Sequence, residues 1–232
     1  MKHYIFIVFL LICGCAVTNP QGAIEPSQAD NTTDDAAPTH AEDIGDSNYQ
    51  QALEILKNKG SKAEPKDFQR VREAYANSSK YFPYFDPTSS LVETGFESLN
   101  KSDWAACINA ANEIVKANYT SLPGHFLGMA CNMESGNTER GEVHKLALNG
   151  FIEAIWSTGD GKKMESAFHT YSTPELRAFL QLQGLEIIDQ ALLNGEEGVF
   201  DLMGVRDPQT GDEFKLYFNI THQWVKGASS FQ

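Results

Sequence analysis

A chain of 232 residues, 41% hydrophobic and 21% charged, carries enough apolar sequence for one sizeable core or two small ones. Its formal net charge of -13 and pI of about 4.8 lack the basic footprint that a phosphate backbone requires, so nucleic acid is excluded as a partner. The same charge disfavours electrostatic attachment to anionic lipid headgroups, but it leaves a covalent lipid anchor open.

The first fifteen residues make the case for that anchor. Lys2 is followed by an apolar run over 4–12, too short to cross a bilayer and of the length of a signal-peptide core. Ile12-Cys13-Gly14-Cys15 then resembles a bacterial lipobox, in which Cys15 is lipidated and becomes the first mature residue. The alternative is an ordinary secretory signal cleaved between Gly14 and Ala16. Ala16, not an acid, follows the cysteine, which favours the outer membrane as the lipid-anchored address. Residues 1–14 are thus expected to be a signal peptide.

Residues 15–47 are expected to form a disordered tether. From Ala16 onward they hold seven acids, no Lys or Arg and few large apolar side chains, too little to offset chain entropy. Their charge accounts for about half of the total and reads as a solvated spacer.

Helical periodicity begins at 48. The stretches 48–58 and 67–78 are amphipathic and separated by the breaker-rich 60–65. Next come Tyr81, Phe82, Pro83, Tyr84 and Phe85, then Asp86 as a helix cap with Pro87 at the first position. The aromatic cluster is expected to be core between the first helices and the next pair; exposed, Tyr84 and Phe85 would be a binding patch.

Helices follow over 90–99, 103–117, 122–134 and 142–158. In the second, Trp104, Cys107, Ile108, Ala111, Ile114 and Val115 form one apolar stripe; in the last, Leu148, Phe151, Ile152 and Ile155 do. Gly95 and Gly128 stand 33 residues apart, near the period of tetratricopeptide hairpins, and the segment from Ser98 to Tyr119 resembles such a repeat. Two repeats are too few to stand alone, so these helices must share core with the rest. Cys107 and Cys131 both fall on apolar helix faces, where they either pair in an oxidising envelope or pack as small hydrophobes. They lack metal-ligand spacing, and no cofactor is expected.

After Gly159-Asp160-Gly161 the period changes. Strands are expected over 166–171, 185–193, 199–206 and 213–220, with one helix over 174–183 and a hairpin loop at 207–212. The fold class is therefore α+β: tetratricopeptide-like hairpins over 48–158, then a small, mainly antiparallel sheet with one helix over 159–232. Segment 151–171 crosses the join, and neither half has enough core alone, so one cooperative unit is expected.

From about Asp67 to Thr221 the chain resembles the exported bacterial family of the domain of unknown function DUF4919. The resemblance rests on Tyr84-Phe85-Asp86-Pro87, on Ala154 through Lys162, on Ala167-Phe168-His169, Leu176-Arg177, Gly184-Leu185, Gln190 and Asp201-Leu202. It also rests on Val205-Arg206-Asp207-Pro208, Thr210-Gly211 and Leu216-Tyr217-Phe218-Asn219. Lys163-Met164 departs from the Ser or Pro expected there. The resemblance implies helical hairpins followed by a mixed sheet, and no activity.

Chemistry is thinly written in this sequence. Gly159-Asp160-Gly161-Lys162 is not a phosphate loop: it lacks GxxxxGK[ST] and leads from helix to strand. His125, His144, His169 and His222 show no ligand spacing. Asp160 and His169, with Glu153 in reserve, are the acid–base candidates, against the reading that His169 is structural; Gln190 and Asp201 read as polar residues on a solvent face. GxSxG and HExxH are absent. Two function classes remain: a non-catalytic envelope lipoprotein that binds a protein or peptide, and an envelope hydrolase or carbohydrate-active enzyme working around Gly159–Lys162.

Overall fold

The structure, a computed structural model, describes residues 40–229. The expected signal peptide, Cys15 and most of the expected tether lie outside the described residues.

Helix α1 (His40–Lys59) begins eight residues before the expected boundary and takes in the end of the supposed tether. Tertiary docking overrides composition here. The Asp46 carboxylate accepts bonds from Ser79 N at 2.9 Å and Ser79 Oγ at 2.7 Å, and these bonds hold its pKa below the usual carboxylate value. Helix α2 (Pro65–Ala76) opens with Pro65 in its first turn and a reciprocal capping box between Glu64 and Asp67. Helix α3 (Ser89–Asn100) starts three residues after Asp86, which does not cap it; the Asp86 carboxylate accepts Thr88 N at 2.8 Å and closes a preceding turn. Helices α4 (Trp104–Ala117) and α5 (Leu122–Glu134) are capped by Asp103 and Ser121. Helix α6 (Thr138–Trp156) starts earlier than the apolar stripe suggested. The pairs α3–α4 and α5–α6 pack as successive hairpins, with α4 also against α5 and α2 against α6.

The second half is a four-stranded mixed sheet in the order β1-β4-β3-β2. Strands β2 (Glu186–Gly195), β3 (Gly198–Arg206) and β4 (Glu213–Asn219) form an antiparallel meander, with Asp201 opposite Phe218 and Leu202 opposite Ala191. Strand β1 (Phe168–His169) is only two residues long and runs parallel to β4. The expected six-residue strand is cut short at one end by a 3-10 turn over Met164–Ser166. At the other end Ser172 caps α7 (Thr173–Leu182), accepting Glu175 N at 3.2 Å. A final helix, α8 (Thr221–Ser229), was not anticipated: Trp224 and Val225 point to solvent, and a buried Gln223 holds it in place.

The join works as a zipped turn. Asp160 N and Gly161 N both donate to Ser166 O, at 3.0 and 2.8 Å, and Tyr217 N of β4 donates to Gly161 O at 2.8 Å. Gly161 sits at φ +68° with the Phe168 ring where a Cβ would stand, so only glycine fits without strain. The principal core runs unbroken through both halves, from Tyr49 of α1 through Phe68, Phe151 and Ile155 to Phe168, Phe179, Phe218 and Ile220. Phe168, Phe179 and Phe218 meet pairwise with centroids 5.6–6.1 Å apart.

A satellite core of Leu99, Cys107, Ala111, Ile114, Leu127 and Cys131 lies among α3, α4 and α5. There Cys107 and Cys131 form a disulfide, with Cα atoms 6.1 Å apart, and both are fully buried. Closing this loop constrains the unfolded chain by about 3.5 kcal/mol in the entropic model. Two expectations follow for urea denaturation followed by circular dichroism. The chain unfolds in one transition, because the core is shared. The Cys107→Ala/Cys131→Ala variant shifts that transition down by about 3 kcal/mol. Two separate steps in the wild type would contradict a shared core.

Candidate functional site

Helix α2 buries one stripe, Phe68, Val71, Arg72 and Tyr75, and Arg72 is the anomaly in it. It is 1% exposed. Such a cation needs every donor matched. Its Nε donates to Glu175 Oε1 at 2.7 Å and its Nη2 to Glu175 Oε2 at 3.0 Å. Nη2 also donates to His169 O at 2.8 Å, Nη1 donates to Gln69 Oε1, and the guanidinium lies 5.1 Å from the Tyr171 ring centroid. Glu175 in turn accepts Tyr171 N at 2.7 Å.

This pair is the floor of a shallow groove. One wall is the segment between α2 and α3. Tyr75 Oη donates to Lys80 O at 3.0 Å, Tyr81 Oη donates to Tyr171 O, and Thr173 N donates to Pro83 O at 2.8 Å. These bonds turn Tyr81 inward and leave Phe82, Tyr84 and Phe85 outward, at 38%, 44% and 58% exposure. The expectation that the aromatic cluster is core between helix pairs is therefore wrong for three of its four members. Their segment is tied to α7 through Pro83 O and to α8 through the Tyr84 side chain. Phe82 and Phe85 pack on each other with centroids 4.7 Å apart, while Tyr84 Oη donates to Gln223 O of α8 at 3.3 Å. The opposite wall is the α4–α5 turn, where Asn118 Oδ1 accepts Thr120 N at 2.9 Å, with Ser121 and Pro123 beside it. Pro87 and Pro174 also line the groove, which holds about 50 Å³ of free space. That fits a side chain or a few waters and falls well short of the several hundred Å³ of a small-molecule site.

Burial raises the pKa values of Tyr75, Tyr81 and Tyr171 above the ordinary tyrosine value, so all three stay neutral donors. Of the residues proposed from sequence, Phe85 lines this groove and Tyr84 flanks it. Asp160 and His169 do not line it. The Asp160 carboxylate accepts Ser166 Oγ at 2.6 Å and Lys162 N at 3.0 Å, and these bonds lower its pKa; it closes its own turn. His169 contributes its backbone to the fold, its N donating to Thr158 Oγ1 at 2.8 Å and its O accepting from Arg72. Partial burial, then the nearby Arg72 charge, lower the pKa of its ring.

Asp201 corrects another expectation. It is buried, not on a solvent face, and desolvation raises its pKa despite the Gln190 hydrogen bond and the Arg177 charge. The histidines read as scattered are not all so: His125 Nδ1 lies 3.2 Å from His144 Nδ1. Among the described residues no three His, Cys, Asp or Glu side chains gather to hold a metal ion. No described helix is long and apolar enough to cross a membrane.

Fold and groove together define an α+β domain in which helical hairpins and a small mixed sheet share one core around a buried ion pair. The chain belongs to the family described as "Domain of unknown function (DUF4919)", whose model matches residues 41–226. No curated protein matches the chain, and no solved structure does.

Tyr81→Phe tests how the groove wall is held. Losing the donor to Tyr171 O leaves that carbonyl without its partner and is expected to cost about 1–2 kcal/mol in urea denaturation. An unchanged midpoint would show that the wall does not depend on this bond.

Proposed function

We propose that this chain is a non-catalytic cell-envelope lipoprotein, anchored through Cys15 to the outer membrane, whose groove captures an exposed segment of a protein or peptide partner. The observation that carries the reading is the pairing of solvent-exposed Phe82 and Phe85 over a small cleft whose charged floor, Arg72 and Glu175, is already fully paired. Exposed aromatics on a rigid frame supply contact area at low entropic cost, the usual make-up of a protein-recognition hot spot. A free volume of about 50 Å³ suits one inserted side chain of a peptide, with Phe82 and Phe85 beside it. The lipobox-like Ile12-Cys13-Gly14-Cys15 and the acidic stretch after it supply the anchor and the spacer.

Two measurements test the reading. Radiolabelled palmitate is incorporated into the wild type and lost in Cys15→Ala; label that survives the substitution contradicts the anchor. A photo-crosslinking residue at position 85 captures a discrete envelope partner, and Phe82→Ser removes the adduct with a stability change of no more than about 0.5 kcal/mol, as for a surface substitution. An adduct indifferent to Phe82→Ser would sink the groove as the binding surface.

A further inference from the structure

The lining of the groove carries three charged side chains, Arg72, Asp86 and Glu175, and two of them cancel. Arg72 has its donors committed to Glu175, Gln69 and the His169 carbonyl, so it has little to offer an incoming anion. Asp86 is different. It is partly buried, follows Phe85 directly, and uses one oxygen for its own turn: Oδ1 accepts both Thr88 N at 2.8 Å and Thr88 Oγ1 at 2.7 Å. Among the described residues no cation pairs with it and no donor reaches Oδ2. Its charge is felt inside the groove. Burial comes first in raising the Tyr75 pKa, and Tyr49, Asp86 and Glu175 add to it.

The charge of the occupant follows from what a covering partner does to Asp86, which is to strip water from its second oxygen. An anionic side chain would meet a like charge, with no Arg72 donor left to answer it. An apolar side chain would leave the carboxylate oxygen without water and without a partner, a costly state. A cationic side chain compensates. Its N–H donates to Oδ2 in a charge-assisted bond, and the same cation meets the exposed rings of Phe82 and Phe85, whose centroids are 4.7 Å apart.

We propose that the groove takes a cationic side chain, Lys or Arg, from an exposed segment of the partner, held by the Asp86 carboxylate and the rings of Phe82 and Phe85. This rests on the reading of the groove as a capture site and adds the chemistry of what is captured. The net charge of -13 acts in the same direction, since it steers a basic segment toward the chain.

The test is a selection of phage-displayed random heptapeptides on the full chain, run in parallel on Phe82→Ser and Asp86→Asn. Asparagine keeps an amide oxygen for the two Thr88 bonds, so the turn is retained while the charge is removed. The expected binders depend on Phe82 and are enriched in Lys or Arg. Replacing one such basic residue by Gln in a selected peptide weakens binding about tenfold, as does Asp86→Asn. Phe82-dependent binders without basic enrichment, or basic binders indifferent to Asp86→Asn, overturn this proposal and leave the groove reading standing. A selection that yields no Phe82-dependent binder removes both. Should Asp86→Asn lose its fold, the Gln replacement in the peptide decides the matter alone.

Discussion

One buried cation organises this molecule. Arg72 comes from a helix of the first half, and its four hydrogen bonds reach Gln69, the His169 backbone and both oxygens of Glu175, about one hundred residues further along the chain. Desolvating an arginine and a glutamate costs several kcal/mol each, and the return covers that only when geometry and satisfaction are near complete. Here they are. An apolar pair of the same shape would hold the halves together equally well in energy. What the ion pair adds is direction: the two-residue β1, too short to hold its own place, is pinned through the His169 carbonyl, and α7 is fixed by its first turn.

The same interaction shapes what the groove can do. Arg72 and Glu175 lie at its floor and look, in isolation, like a carboxylate receptor and a general base. Their partners are already in place, and the three tyrosines around them are kept neutral by burial. Recognition then falls to the rim, where Phe82 and Phe85 stand out because Tyr81 is turned in. Frame and surface are therefore linked: the bonds that hold the 77–87 segment to α7 and α8 are the ones that present its aromatics.

Much of the frame was legible in the sequence. The α6 stripe is buried as its spacing implied, as are Cys107, Ala111 and Ile114 of the α4 stripe, whose Trp104, Ile108 and Val115 are only partly covered; α5 has the bounds expected of it, and the 207–212 loop joins β3 to β4. What escaped depends on tertiary contact. The start of α1 rests on Asp46 meeting Ser79, and the shortness of β1 reflects the competing cap at Ser172. Two features were readable and not read. Arg72 occupies a core position of the Phe68–Tyr75 stripe, which marks a charge that must find a buried partner. Cys107 and Cys131 stand at nearly equal distances from the α4–α5 turn. Antiparallel hairpins bring such positions together, so hairpin symmetry would have turned that open alternative into a contact. Asp160 misled for a plainer reason: a Gly-Asp-Gly turn has the composition of a site and the geometry of an Asx turn.

The most direct test of the central claim is native-state hydrogen exchange on Arg72→Met, a substitution that keeps the side-chain stem and removes the charge. Leaving Glu175 buried and unpaired should cost about 3–5 kcal/mol. The account predicts that amides of β1 and the first turn of α7 lose protection before those of the α4–α5 hairpin, and that adding Glu175→Leu recovers most of the loss. Uniform protection across both halves, with a cost below about 1 kcal/mol, would contradict it.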